Sequence, residues 1–267
     1  NTQLGAENLL EGLEMFSGKK NLNNEIVILN SFSLTEKIIQ ELELGTSYFQ
    51  HGFLQSNELF INSPFTVKID SSHLQLTEIN FQITPVNNNE FILYVTTNDK
   101  YPYSILNKRL EKSLTADIDI EKKYNFNSLI ETEFYAFTIN KTDHFNMEQI
   151  IENDKYFSFK LHQTDKLANK IIKMISINPI NNETSILKLS IKERTPKKSI
   201  SILNKITEIY IRSGLNEKNL MAINTIHFID DQLTIIQDSL SRIERKLELF
   251  KTLHPNLEIV DKEYGTY

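Results

Sequence analysis

Asp230 and Asp231, adjacent acids in the stretch FIDDQLTIIQDSLSRIERKLELF (228–250), are the residues whose types most readily suggest chemistry. Carboxylates that converge can hold a metal ion or divide acid and base roles. On a helix, however, neighbouring side chains point about 100° apart, and convergence requires a spacing of three or four residues. Whether these acids form a site therefore depends on the element that carries them.

Other candidate chemistry is thin. GLEMFSGKKN (12–21) resembles a phosphate loop, but its glycines are one residue too far apart and Lys20 stands where a hydroxyl should reach the metal. The six histidines, His51, His73, His144, His162, His227 and His254, contain no pair at i, i+3 or i, i+4 and no H-E-x-x-H. Their only local groupings are His144 with Glu148 and His162 with Asp165. No G-x-S-x-G elbow presents a serine nucleophile. Seven glycines leave few positions for tight backbone approach to a substrate. Asn140-Lys141-Thr142 and Asn182-Glu183-Thr184 fit the glycosylation sequon, a pattern that also arises by chance. No catalytic, cofactor-binding or metal-ligating residue is assigned.

Composition narrows the class further. The chain has 267 residues, 40% of them hydrophobic and 24% charged, enough for a substantial core. A net charge of −6 without a block of lysine and arginine argues against nucleic acid as a partner. The absence of cysteine excludes disulfides, thiolate zinc sites and thiol catalysis within these residues. No run of 18 apolar residues could span a bilayer, and no signal-peptide pattern opens the chain. The ends read as those of a piece cut from a longer protein.

Three territories follow from periodicity, and together they predict an α+β fold. N-terminal helices come first: Leu9, Leu10, Leu13 and Phe16 precede Gly18, then Ile26, Leu29, Leu34, Ile38 and Leu42 precede Gly45. From 57 to 193 the period changes to two. Phe65, Val67 and Ile69 alternate with polar residues, as do Phe91, Leu93 and Val95, or Phe157, Phe159 and Leu161, predicting an antiparallel or mixed sheet. Short helices are expected near 103–114 and 164–171. Finally Pro196, after Thr195 as N-cap, opens a helix ending at Gly214, and a long coiled-coil helix runs from about Glu217 to Leu253. The predicted organisation is a base domain over 1–215, the coiled-coil helix over 216–254 and a tail over 255–267.

The long helix settles the acids. Ala222, Ile226, Ile229, Leu233, Ile236, Leu240, Ile243, Leu247 and Phe250 recur at alternating intervals of four and three, the heptad rhythm of a coiled-coil seam. Asp231 and Asp238 then fall opposite the seam and Asp230 on its flank, so the acid pair reads as solvated face. Asp238 stands four residues before Arg242, a favourable helix-face spacing. The seam extends roughly 40 Å at 1.5 Å per residue, longer than a 196–213 helix could cover. Part of it should meet another segment or another chain.

Two blocks of sequence carry a family resemblance. RTPKKSISILNKITEIYI with the 216–251 helix resembles the bacterial chain-length determinant proteins, the polysaccharide co-polymerases, through Pro196, Asn204, Ile206, Tyr210, Phe228, Ile229, Gln232 and Leu233. NLNNEIVILNSFSLTEKIIQELELGTSYF is similar to the family's upstream segment through Asn24, Glu25, Ile26, Leu29, Ser31, Leu42, Leu44 and Tyr48. The resemblance implies the periplasmic part of an inner-membrane protein, lying between two transmembrane helices outside this chain. It implies homo-oligomeric rings that regulate capsular or exopolysaccharide length and export, in contact with the polymerase, an outer-membrane export channel or the glycan. The large strand-rich region looks like the tyrosine-kinase branch, whose cytoplasmic domain would bring ATP and Mg; this chain itself calls for no cofactor. Tyr264 and Tyr267 are not the tyrosine-rich tail of that domain. The alternative is a coiled-coil periplasmic adaptor of a secretion or efflux system, with two antiparallel arms beside a lipoyl-like β-domain.

Overall fold

Alternating apolar and polar residues generate sheets with one greasy face, and the chain builds its body on such sheets. A computed structural model describes residues 22–52, 56–152, 156–181 and 184–254. The helical run expected around Leu9 to Phe16, the loop at 12–21, Asn182 and Glu183 of the second sequon and the tail with Tyr264 and Tyr267 lie outside these residues. The described residues divide into two units, one ending at Ile211 and one beginning at Arg212.

In the first unit two short helices lead. α1 (Leu22–Leu29) and α2 (Phe32–Glu41) are separated by Ser31, whose hydroxyl accepts from the Leu34 amide at 3.2 Å and caps α2. The single helical run predicted up to Gly45 is thereby broken. It also ends early: Glu43, at φ 52°, takes the left-handed position, and no described glycine has a positive φ.

The largest sheet has six strands, in the order Ser56–Leu59, Thr46–His51, Tyr156–Leu161, Phe81–Pro85, Glu90–Lys100 and Ala116–Asn125. Every pairing is antiparallel, the first of the two alternatives expected for the sheet. A three-stranded sheet (Leu129–Glu131, Ala136–Lys141, Phe65–Ile69) packs its apolar residues into the same core. Phe81 sits at the centre of that core, stacked on Phe159 at 4.8 Å and edge-on to Phe137 at 5.3 Å. Where a helix was expected near 103–114, Tyr103–Ser104 and Arg109–Leu110 instead pair as a small hairpin. α3 (Met147–Glu152) is brief, and α4 (Thr164–Met174) leads into the ribbon Ile175–Pro179 and Leu187–Ile191.

A second core joins the helices. Leu29, Leu34, Ile38 and Ile39 of α1 and α2 meet Leu167, Ala168 and Ile171 of α4, together with Ile202, Ile206 and Ile209. Those last three belong to α5, which runs unbroken from Pro196 to Leu253.

This continuity overturns the predicted fold class at its C-terminal end. Gly214 does not stop a helix; it lies inside one. A lone helical glycine costs only about 1 kcal/mol relative to alanine, and long helical sequence on both sides carries the helix through it. The 196–213 segment and the heptad stripe belong to one continuous helix, so the two do not pack on each other as separate helices. The stripe residues Ile226, Ile229, Leu233, Ile236, Leu240, Ile243, Leu247 and Phe250 are 44–62% exposed. The chain is α+β with short N-terminal helices, an antiparallel sheet body and one long C-terminal helix. No described helix is long and apolar enough to cross a membrane.

Candidate functional site

The six-stranded sheet has two faces with different chemistry. Tyr48, Leu59, Phe157, Phe159 and Leu161 point into the aromatic core. Strand alternation sends their neighbours the other way: Ser47 and Phe49, Ser56 and Glu58, Lys160 and His162 line one cleft. Pairing aligns them, with Ser47 opposite Lys160 and Phe49 opposite Glu58. Beyond the last strand, the His162 amide still bonds the Gly45 carbonyl at 2.8 Å, extending the ladder to the histidine.

The other walls come from α4, through Lys166, Leu167, Lys170 and Met174, and from the segment Lys192 to Lys198 that enters α5. The Lys192 amide bonds the Met174 carbonyl at 3.0 Å and ties these walls together. The cleft measures about 1440 Å³.

A continuous polar relay crosses its floor. Lys198 Nζ is 2.5 Å from Glu58 Oε1, and Glu58 Oε2 accepts from the Thr195 hydroxyl at 3.5 Å. The Ser47 hydroxyl lies 3.3 Å from Glu58 Oε1 and 2.9 Å from His162 Nε2. His162 Nδ1 lies 3.3 Å from Glu78 Oε1. Glu78 holds φ 59°, a left-handed conformation that costs about 1–2 kcal/mol for a residue with a Cβ. Its amide donates to the Leu161 carbonyl at 2.7 Å, and its carboxylate accepts from the Gln163 amide at 3.2 Å, so the strain aims the carboxylate at the histidine.

Proton counting along the relay gives two states. Burial pushes the His162 imidazole below its usual value; Glu78 opposes this, while Lys170 and Lys198 reinforce it. In the neutral state Glu78 can only accept, so Nδ1 carries the proton and Nε2 accepts from Ser47. In the protonated state His162 donates to both Glu78 and Ser47, and the Ser47 hydroxyl turns to Glu58. The neutral order of serine, histidine and carboxylate resembles an acyl-transfer triad. A second carboxylate 3.3 Å from the hydroxyl nevertheless opposes negative charge there, and the serine sits in a regular strand rather than on an exposed turn. The relay reads as the fixed floor of a binding cleft.

The residues singled out from sequence land elsewhere. His162 partners Ser47 and Glu78, whereas Asp165 accepts from the Tyr103 hydroxyl at 3.4 Å. Among the described residues no group of three or more His, Asp or Glu could hold a metal. Asp230 and Asp231 are exposed on α5, and Asp238 makes no ion pair with Arg242. Pro196 opens α5 as expected and borders the cleft, but Thr195 spends its hydroxyl on Glu58. Asn24 and Asn204 are exposed, and Phe228 and Gln232 are half-buried further along α5. Tyr210 and Glu25, from the two ends of the described body, meet: the Tyr210 hydroxyl donates to Glu25. Around them Leu29, Leu44 and Ile206 share the helical core. Residues from five separate segments form the cleft, so no local motif could have disclosed it.

No protein-family model matches the chain, and comparison with curated proteins finds no match.

Proposed function

We propose that the chain is the periplasmic part of an inner-membrane polysaccharide co-polymerase, regulating capsular or exopolysaccharide length and export. The observation that carries this reading is the contact between Tyr210 and Glu25. Both belong to the blocks that resemble the family, they stand 185 residues apart, and they share one hydrogen bond beside one core. Their meeting on one core supports reading the two blocks together.

The exposed apolar stripe of α5 supports a mechanical role. Eight large apolar side chains along one face lose solvent contact only by meeting another segment or subunit. In the full-length protein that partner is a second copy, held nearby by flanking membrane helices. A cytoplasmic tyrosine autokinase domain, with its ATP and Mg, belongs to the parent protein under this reading. The adaptor alternative requires two antiparallel arms; the described residues have one long helix.

Deleting the gene and sizing surface polysaccharide on gels tests the proposal. The expected result is a shifted length distribution or loss of the polymer, restored by complementation. Unchanged amount and length would overturn it.

A further inference from the structure

We propose that the cleft between the polar sheet face and α4 binds an acidic carbohydrate chain through its carboxylates. The identity of the polymer as carbohydrate rests on the co-polymerase reading; the preference for anions stands on the cleft alone.

The chain as a whole carries a net charge of −6, yet this cleft is lined by six cationic side chains and three carboxylates. The carboxylates are already occupied. Glu58 holds Lys198, Glu78 holds His162 and the Gln163 amide, and Glu193 accepts from the Arg194 amide. Lys160, Lys166, Lys170, Lys192 and Arg194 form no ion pair with a described residue. Five unpaired cations around one cleft repel one another.

The arrangement carries a local cost. Lys166 and Lys170 stand at i, i+4 on α4, a like-charge spacing that destabilises a helix by about 0.2–0.5 kcal/mol. Both are exposed and point into the same cleft from which Lys192 and Arg194 project. Low-dielectric walls focus the field of such a cluster and raise the local concentration of anions. Lysine and arginine together give both point charges and a planar fork suited to carboxylates. The volume of about 1440 Å³ exceeds a typical small-molecule pocket and suits several units of a polymer. Phe49 on the sheet face and Leu167 on α4 add apolar lining to the cleft.

The purified chain can be titrated with fluorescently labelled oligogalacturonate, with dextran of equal length and with polyphosphate, at low and at physiological salt. Oligogalacturonate should bind, weaken at least tenfold as salt rises, and outcompete dextran. The variant Lys166→Glu/Lys170→Glu should lose at least tenfold in affinity, while Lys218→Glu/Lys246→Glu, the same charge change on α5, should lose less than twofold. Circular dichroism of both variants establishes that each is folded. Absence of oligogalacturonate binding, or equal loss in both variants, overturns the cleft. Tighter binding of polyphosphate overturns the carbohydrate assignment. A chain that binds oligogalacturonate although gene deletion leaves surface polysaccharide unchanged retains its cleft and loses the co-polymerase reading.

Discussion

The two halves of α5 carry similar apolar spacing and meet opposite fates. In the first half Ile202, Ile206 and Ile209 are at most 1% exposed, packed on α1, α2 and α4. In the second half, the stripe from Ile226 to Phe250 keeps about half its surface in water. Periodicity specifies that a helix has an apolar face; it does not specify what covers it. Burial of a leucine or isoleucine side chain is worth about 1.5–3 kcal/mol, a gain realised in the first half and still open in the second.

The largest break in this comparison should come from truncating one residue in each half. Ile206→Ala is expected to cost about 2–5 kcal/mol in chemical denaturation, because a fully enclosed side chain leaves a cavity. Leu240→Ala should change stability by less than about 0.5 kcal/mol in the same assay on the isolated chain. Similar losses at both positions would mean that the stripe is already covered.

Next in size is the junction that brings the blocks together. Tyr210→Phe removes the hydroxyl that donates to Glu25 and should cost about 1.5–3 kcal/mol, the range for hydrogen bonds to charged groups. A loss below about 0.5 kcal/mol would make the contact incidental.

The relay predicts a pH dependence confined to the body. His162 has a lowered folded-state value, so the unfolded chain binds the proton first as pH falls. Stability should decline as pH drops through about 6.5, the ordinary histidine value, and level off once the folded imidazole also protonates, at about 1.4 kcal/mol for each unit of difference. Glu78→Gln, which removes the carboxylate that raises the His162 value, should steepen the decline. His51, also lowered by burial, contributes in the same direction, so the comparison is made against His51→Asn.

The smallest effect lies between the halves. Gly214 is helical, and nothing lies within 4 Å of an added Cβ. Gly214→Ala should therefore stabilise by about 0.5–1 kcal/mol and raise helicity in circular dichroism. A destabilised variant would show that the glycine marks a real interruption.

Much of the body was legible because its signals are local. Strict alternation at Phe65 to Ile69, Phe91 to Val95 and Phe157 to Leu161 corresponds to strands. Thr46–His51 and Ala116–Asn125 were less visible, since mixed exposure along edge or polar faces blurs the period of two. Gly45 and Gly214 misled because glycine permits a helix stop without requiring one. Ser31 was the true boundary, and its cap competes locally with helix continuation. The cleft was illegible for a different reason: Ser47, Glu58, Glu78, His162 and Lys198 become neighbours only through strand register and the crossing of α5. His162 looked isolated because its partners lie 84 and 115 residues away.

Because these 267 residues contain no cysteine, a single cysteine introduced among them is their only thiol. Under the co-polymerase reading the parent protein sits in a membrane; there it can carry Leu240→Cys on the stripe or Asp238→Cys on the opposite side of α5 as its single cysteine, be labelled with a thiol-reactive, membrane-impermeant reagent and be compared with the isolated chain. If the stripe is the association surface of a co-polymerase, Leu240→Cys should label at least tenfold more slowly in the membrane than in the isolated chain, while Asp238→Cys labels equally in both. Equal labelling of Leu240→Cys in the two settings would contradict the account.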